Sequence, residues 1–291
     1  MNTINYSHKR KKTLKKINCA PGTNKKYTCY TDESLIKLRN YWNIRHPDNK
    51  IETNNIKTIW LKLRDNMNNV CDRESCWLRQ KFMFNNLDKE LSQYTFAPKT
   101  PSSWKINKNE WLSSVDIEKV MKQYEYFYTN FEFVGPSPID FDTKQLYGEC
   151  VWEELCKFNL NYYLKNGKNK IGIIFNTDPH YKGGSHWISL FIDIKKQFIF
   201  YFDSNGNITP KEIKILTDRI KQQGELLKIN FKIGENYPKE HQKTNTECGM
   251  YSLYFIISLI KEDHDPEYFK NHTIKDKEVE ILRDEYYNKE L

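Results

Sequence analysis

The sequence Thr246-Glu-Cys-Gly-Met-Tyr-Ser-Leu-Tyr-Phe-Ile-Ile-Ser-Leu-Ile260 contains the longest apolar run of the chain. Its length suits a buried helix and falls short of the roughly 20 apolar residues that span a bilayer. We predict a helix from Cys248 to Lys261 that lies in the core of the protein. Cys248 then occupies the first turn, where unpaired backbone N–H groups and the helix dipole stabilise a thiolate. Because cysteine is also a common small residue of protein cores, Cys248 is a candidate nucleophile only if it has partners.

Two strand-like runs upstream place such partners at one end of a hairpin. The runs Trp187–Ile194 and Gln197–Phe202 are rich in β-branched and aromatic residues and are separated by two lysines, which predicts an antiparallel pair. His186 precedes the first run and Asp203 follows the second, so both side chains lie at the same open end. Asp203 can then accept the imidazole N–H and fix the tautomer of His186. A simple turn role is the alternative for Asp203, since Asn205-Gly206 follows it.

Gln242 supplies a side-chain amide close to the candidate nucleophile. It lies six residues before Cys248, in a loop that runs into the predicted helix. Such an amide can donate a hydrogen bond to the oxygen that becomes negative during acyl transfer, and loss of one such donor costs about 10²–10³ in rate. Asn245 is closer in sequence and could fill the same role. Together these residue types indicate nucleophilic catalysis at Cys248.

The remaining patterns indicate an α+β protein with a small helical region on its N-terminal side. A first helix is capped by Thr31 or Asp32 and ends before Pro47, and a second begins after Thr53 or Asn54. Prolines 98 and 101 mark a linker. Beyond it, in addition to the hairpin and the helix at Cys248, we predict a helix over 111–127, a strand over 171–177, a helix over 211–223 and a strand over 227–233.

Composition and charge restrict the class of protein. Of the 291 residues, 38% are hydrophobic and 29% are charged, so the chain can bury a core and is not intrinsically disordered. The formal net charge is +8, and a basic run occupies residues 8–16 without an apolar run behind it. We therefore predict that the protein is not secreted. We interpret residues 1–30 as a basic, disordered tail that could make weak electrostatic contact with nucleic acid.

Cysteine usage predicts reduced thiols. The chain has seven cysteines, an odd number in a chain without a secretory signal, which favours a reducing compartment. A zinc site is one interpretation of four of them, although their spacing is not that of a zinc motif; these are Cys19, Cys29, Cys71 and Cys76. Incidental buried thiols are the simpler interpretation, and we expect neither a metal nor another cofactor.

The order of these residues along the chain resembles a known family. His186-Trp187, Asp203, Gln242 and Cys248-Gly249 follow one another as in the adenain and SUMO-protease superfamily of cysteine proteases, and most resemble the polyprotein-processing proteases of asfarvirus and other large cytoplasmic DNA viruses. The resemblance covers roughly residues 105–291. It implies a protease core of papain-like geometry, with a central mixed sheet, flanking helices and the nucleophile at a helix N-terminus. We accordingly divide the chain into a tail (1–30), a small helical arm domain (31–100) and the core (101–291).

The resemblance also implies roles for single residues. Cys248 would attack the carbonyl, His186 would accept its proton and return it to the leaving amine, Asp203 would orient His186, and Gln242 would hold the oxyanion. The asfarvirus enzyme has Asn at the position of Asp203 and Gln at that of Asn245, which leaves open the choice between Gln242 and Asn245.

Two tryptophans resemble the family's substrate channel. Trp187 resembles the aromatic residue that narrows this channel, and Trp111-Leu112 is similar to the other segment that lines it. The resemblance implies cleavage after Gly-Gly or a similar small pair; core packing is the alternative for both tryptophans.

Three functions compete at this point. The first is a viral endopeptidase that processes structural polyproteins during virion maturation, located in the host cytoplasm and the virion. The second is an isopeptidase that acts on ubiquitin or a ubiquitin-like modifier, since the same site would serve. The third is a nucleic-acid-binding or scaffolding protein in which the thiol of Cys248 is incidental.

Overall fold

The computed structural model describes residues 13–23, 27–83 and 89–289. The chain divides into two compact units, one formed by Met1–Lys99 with Tyr287–Leu291 and the other by Thr100–Tyr286. The last residues of the chain thus belong with the N-terminal unit, whereas the sequence placed them in the core. None of the helices in the described ranges combines the length and the apolar character that a bilayer span requires.

The N-terminal unit is helical, with α1 (Asp32–Arg45), α2 (Ile56–Met67) and the short α3 (Lys89–Tyr94). Thr31 caps α1 by accepting a hydrogen bond from the amide of Ser34, and Asn55 caps α2 in the same way through Thr58. Both helices are confirmed where the sequence predicted them. Their apolar faces bury Leu35, Leu38, Ile59 and Leu63 in one core with Tyr30 and Trp77.

The tail predicted over residues 1–30 is wrong for its described part. Ala20, Cys29 and Tyr30 are buried, and Cys19 pairs with Phe96 in an isolated β-bridge. The Asn288 side chain also bonds to both the amide and the carbonyl of Asn18. Turn-forming residues in this segment suggested disorder, but its contacts are with residues far away in sequence. Most of the basic run, residues 8–12, lies outside the described residues.

The prediction of reduced thiols is also wrong. Within the described ranges the chain forms three disulfides with Cα–Cα distances of 5.1, 5.5 and 6.3 Å, as a disulfide requires; they join Cys19 to Cys29, Cys71 to Cys76, and Cys150 to Cys156. The four cysteines considered as zinc ligands are therefore paired with one another. An odd number of cysteines means only that at least one is not in a disulfide within the chain. Here that residue is Cys248.

The second unit is built on a five-stranded mixed sheet with strand order β1-β2-β3-β4-β5. The β2–β3 and β3–β4 pairs are antiparallel, and the two edge pairs are parallel. The strands are β1 (Phe131–Pro138), β2 (Lys170–Asn176), β3 (Trp187–Asp193), β4 (Phe198–Phe202) and β5 (Lys232–Glu235). The helices are α4 (Ser114–Phe127), α5 (Glu153–Cys156), α6 (Leu160–Lys165), α7 (Lys211–Leu226), α8 (Cys248–Lys261), α9 (Pro266–Asn271) and α10 (Asp276–Tyr286).

The predicted hairpin, the strand before it and the helix at Cys248 are confirmed, and α7 is confirmed with a longer C-terminal end. The strand predicted over 227–233 is wrong, because α7 runs to Leu226 and β5 begins only at Lys232. The helix predicted from Trp111 begins at Ser114, since Ser113 and Asp116 form a capping box there.

Helices cover both faces of the sheet. Alternate residues of β4 point to opposite sides, so Ile199 and Tyr201 share a core with Ile213 of α7, whereas Phe202 stacks on Phe255 of α8 at 4.8 Å between ring centroids. All seven residues of β3 are buried, as expected for a central strand that is covered twice. The helix that begins with Cys248 is therefore packed directly against the hairpin.

Gly172 of β2 allows this close packing. A Cβ atom at Gly172 would lie 2.9 Å from the Ile256 side chain of α8 and 3.0 Å from the Phe131 ring. We expect Gly172→Ala to lower the free energy of unfolding by about 1–3 kcal/mol, because extra volume in a filled core forces its neighbours to shift. Urea denaturation measures the change. Gly183→Ala is the matched control, since a Cβ atom there meets nothing within 4 Å, and an equal decrease in both variants would contradict the packing argument.

Candidate active site

Cys248 is the first residue of α8 and is buried, with 1% of its surface exposed. The thiol thus lies at the N-terminal end of a 14-residue helix, where the first backbone amides have no partner within the helix. The next residue is Gly249, and a larger residue would not fit there because α8 approaches another segment closely. A Cβ atom at Gly249 would lie 3.0 Å from the Cβ of Leu112.

The hairpin brings His186 and Asp203 together. His186 directly precedes β3 and Asp203 directly follows β4, and the ring Nε2 lies 2.7 Å from Asp203 Oδ1. Nε2 donates to the carboxylate, so Nδ1 is the ring nitrogen that remains for the thiol. Cys248 interacts with the ring strongly enough to raise the pKa of His186, so three of the four predicted catalytic residues act on one another.

The loop before His186 is fixed by Asn176, the last residue of β2. The Asn176 side-chain oxygen accepts hydrogen bonds from the amides of Asp178 and Ser185. Gly184 lies so close to this amide, with a φ of +93°, that a Cβ atom would be only 2.6 Å from Asn176 Nδ2. These contacts close the loop and hold His186 at the start of β3.

Asp203 is buried and is held by three asparagines. Its carboxylate accepts hydrogen bonds from the amide of Asn205 and from the side chain of Asn207. Asn236 binds the Asp203 backbone on both sides, accepting from its amide at 2.9 Å and donating to its carbonyl at 2.8 Å. Sequence reasoning missed Asn236. It follows β5, the parallel neighbour of β4, so its position was only visible once β5 was placed correctly.

Gln242 is buried, whereas Asn245 is exposed. The Ser204 hydroxyl donates to the Gln242 side-chain oxygen at 2.8 Å, and the Gln242 amide nitrogen donates to the Thr244 carbonyl at 2.5 Å. The amide is thus oriented with its oxygen toward Ser204 and its NH₂ group toward the loop before Cys248. One of the two N–H groups remains for a ligand.

The two predicted channel tryptophans differ in exposure. Trp187 is buried, and its indole N–H donates to the Leu112 carbonyl at 2.9 Å. Trp111 is 41% exposed. Both border a cavity of about 570 Å³ next to the loop that precedes His186. Both tryptophan segments thus border one open space, which the loop before His186 also lines through Gly183 and Gly184.

Electrostatics favour a charged imidazole. Burial of the ring lowers the pKa of His186, but the hydrogen bonds with Asp203 and Cys248 and the charges of both groups raise it more, so that the pKa is raised from 6.5 to about 9. The imidazolium therefore persists at neutral pH, where it can stabilise a neighbouring thiolate. Within the described ranges, no group of three or more His, Cys, Asp or Glu side chains could hold a metal ion.

A buried thiol at a helix N-terminus, and an imidazole that it influences and that is hydrogen-bonded to a carboxylate, form the arrangement of a cysteine protease on an α+β fold. Comparison with known proteins agrees. Residues 166–291 match the Ulp1 protease family, C-terminal catalytic domain. The chain is 28% identical over 282 residues to a thiol protease of Acanthamoeba polyphaga mimivirus, a match that covers 89% of each chain.

Two further comparisons involve African swine fever virus. The chain is 30% identical over 205 residues to the cysteine protease of this virus, which covers 64% of this chain and 72% of the relative. A crystal structure of the viral protease superposes with a TM-score of 0.65 at 23% identity and covers 93% of this chain and 95% of that one. The chain belongs to the Ulp1 protease family and is a cysteine protease.

Substitution of Asp203 tests the origin of the high His186 pKa. In Asp203→Asn we expect the pKa of His186 to fall from about 9 to about 7 or below, because the imidazolium loses a neighbouring negative charge while the ring stays buried. Titration of the His186 ring protons by NMR measures it. Asp140→Asn is the control, since Asp140 lies 2.7 Å from a different ring, that of His180. A His186 pKa that stays near 9 in Asp203→Asn would refute this assignment.

Proposed function

We propose that the protein is an endopeptidase that cleaves after small residues, in sites of the Gly-Gly type, and that it processes viral structural polyproteins. The observation that carries the proposal is the hydrogen bond between His186 and Asp203, together with the interaction of Cys248 at the start of α8 with the same imidazole. The relatives are thiol or cysteine proteases of viruses, which supports a viral setting for this enzyme; within it we propose a structural polyprotein as the substrate and a location in the host cytoplasm and the virion.

Cys248 is the nucleophile in this mechanism. Its sulfur attacks the scissile carbonyl carbon, and the thiol proton resides on His186. His186 then donates this proton to the leaving amine as the C–N bond breaks, which leaves an acyl-enzyme at Cys248. Water, deprotonated by His186, hydrolyses the thioester and restores the thiol. Asp203 holds the ring so that Nδ1 faces the sulfur throughout.

Gln242 stabilises the oxyanion. The tetrahedral intermediate places a negative oxygen beside the first turn of α8, where the backbone N–H of Cys248 is a donor. Gln242 would be the second donor. Ser204 orients its side-chain amide by bonding to the oxygen, and one N–H of the NH₂ group is left after the contact with Thr244. The exposure of Asn245 favours Gln242 for this role.

The tryptophan segments provide the substrate channel. Leu112 is fixed on one side by Trp187 and on the other by Gly249, so this wall has little freedom to move away from a bulky substrate residue. Trp111 adds an exposed aromatic surface at the cavity. A passage with such a wall would favour substrate residues without side chains beside the scissile bond.

An isopeptidase that acts on a ubiquitin-like modifier is the second candidate. A relative from African swine fever virus that is 30% identical bears the name SUMO-1 cysteine protease. The same active site would cleave a modifier that ends in Gly-Gly. The two candidate functions therefore differ only in the substrate protein that contains the Gly-Gly sequence.

The substrate class can be tested with fluorogenic peptides. A peptide ending in Gly-Gly before the fluorophore should be cleaved, and Val in place of either Gly should lower kcat/KM by about 10–200-fold, since each added side chain must enter the channel. Cys248→Ala should abolish turnover. Equal rates for the Gly and Val peptides would exclude the Gly-Gly specificity. Matched fusions of a viral polyprotein fragment and of a ubiquitin-like modifier, both with Gly-Gly at the junction, then decide between the two candidates.

Charge separation along the chain supports binding to nucleic acid. Residues 1–99 contain 20 Lys and Arg against 9 Asp and Glu, whereas residues 100–291 contain 26 against 29. The positive charge of the protein thus resides in its N-terminal third, as expected if this part neutralises phosphates.

A charge substitution tests this binding. Changing Lys9, Arg10, Lys11 and Lys12 to Gln should weaken binding to a DNA duplex and reduce the salt dependence of log K by about 0.9 for each phosphate that the variant no longer neutralises. Fluorescence anisotropy over a salt series measures both. The matched control changes four exposed lysines of the second unit to Gln, Lys195, Lys211, Lys221 and Lys228. Identical binding by both variants would exclude a role for the basic run.

A further inference from the structure

The helix α10 binds the loop before Cys248 at two points. At its first residue, the Asp276 carboxylate accepts hydrogen bonds from the backbone amides of Lys243, at 3.1 Å, and Thr244, at 3.0 Å. The same carboxylate lies 3.0 Å from the hydroxyl of Tyr251, which belongs to α8. Asp276 thus ties the loop to the helix that carries Cys248.

The second point is Arg283. Its side chain is 5% exposed and forms a buried ion pair with Glu247, at 2.9 Å, directly before Cys248. The same guanidinium donates to the carbonyl of Thr246, at 3.3 Å, and to that of Glu110, at 3.0 Å. It also packs over the Trp104 ring. Arg283 therefore joins the loop before Cys248 to the segment that contains Trp111 and Leu112.

The two residues lie on one face of α10. Asp276 and Arg283 are seven residues apart, which places them two turns apart on the same side of the helix, about 10.5 Å along its axis. Val279, between them on this face, is buried. A helix fixed in this way holds its two anchors at a constant separation, which a flexible loop could not do.

We propose that Asp276 and Arg283 are positioning residues that act on the reaction through the loop 242–247. Asp276 holds the amide of Thr244, and the carbonyl of Thr244 accepts the hydrogen bond that orients the Gln242 side chain. Arg283 holds Glu247, the residue directly before Cys248, and Glu110, which lines the cavity of the two tryptophans. The part that concerns Asp276 rests on the proposed role of Gln242 at the oxyanion.

A double-substitution cycle tests Asp276. Asp276→Asn preserves the shape of the side chain and removes the charge that holds two backbone amides. We expect kcat for a Gly-Gly peptide to fall by about 10-fold or more, with KM within about threefold, and Gln242→Ala to lower kcat by about 10²–10³. In the Gln242→Ala background, Asp276→Asn should have almost no further effect, because both substitutions act on the same donor.

Alkylation of Cys248 by iodoacetamide separates positioning from a general loss of structure. This substitution reaction forms no oxyanion, so Asp276→Asn and Gln242→Ala should both alkylate within about twofold of the wild-type rate. Glu285→Gln, an exposed residue of the same helix with the same change in charge, should match the wild type in both assays.

Three results would overturn the inference. One is an unchanged kcat in Asp276→Asn together with a low kcat in Gln242→Ala. This result would refute the positioning role of Asp276 and leave the role of Gln242 intact. Another is a full additional decrease in the double variant, or an equal decrease in alkylation, which would mean that Asp276 acts on the fold alone. The third is a normal kcat in Gln242→Ala, which would remove the proposed oxyanion donor and the role of Asp276 with it.

Arg283→Lys tests the positioning role of Arg283. Lysine keeps a positive charge for the buried Glu247 but cannot reach three acceptors at once, because it lacks the planar fork of the guanidinium. We expect a lower kcat and, unlike in Asp276→Asn, a KM raised by about 10-fold or more, since lysine leaves the Glu110 carbonyl beside the channel without its donor. Circular dichroism confirms that the variant is folded. Wild-type values of both constants would refute the role of Arg283.

Discussion

The active site depends on the packing of α8 against the sheet. Phe255 stacks on Phe202 at the end of β4, and Ile256 fills the space that Gly172 leaves over β2. Since His186 and Asp203 are attached to the ends of β3 and β4, this packing sets the position of Cys248 relative to both. Hydrophobic packing therefore sets where the thiol lies relative to the hairpin, and the polar contacts at the site orient the side chains.

The parts of the fold that sequence predicted well are those with strong local patterns. The β3–β4 hairpin and the helix from Cys248 to Lys261 are continuous apolar segments with clear ends, and the residues at those ends are the catalytic candidates. Pairing of two adjacent strands brings His186 and Asp203 together with almost no freedom. The nucleophile and its base could thus be predicted because each lies at the boundary of a long regular element.

The parts that sequence missed depend on contacts between distant segments. β5 is short, mostly exposed and without apolar alternation, so neither it nor Asn236 behind it could be placed. β1 is interrupted by Gly135-Pro136. Asp276 and Arg283 are ordinary charged residues of a surface-like helix until the fold places them beside the loop before Cys248. The burial of Ala20 and Tyr30 likewise arises from partners that are distant in sequence, Thr95 and Phe96.

The polar groups around the sulfur form a network in which each charge has a fixed partner. Asp203 accepts three hydrogen bonds, and Glu247 is paired with Arg283. In a buried region, a charge without partners would be costly, and a charge with mobile partners would change its pKa as they move. The high pKa of His186 despite burial requires that Asp203 stays in place, which the two backbone bonds from Asn236 ensure. Asn236 and α10 thus have the same physical effect. Asn236 fixes the backbone of Asp203, and α10 fixes the loop 242–247, so that the segments on both sides of Cys248 are held in place.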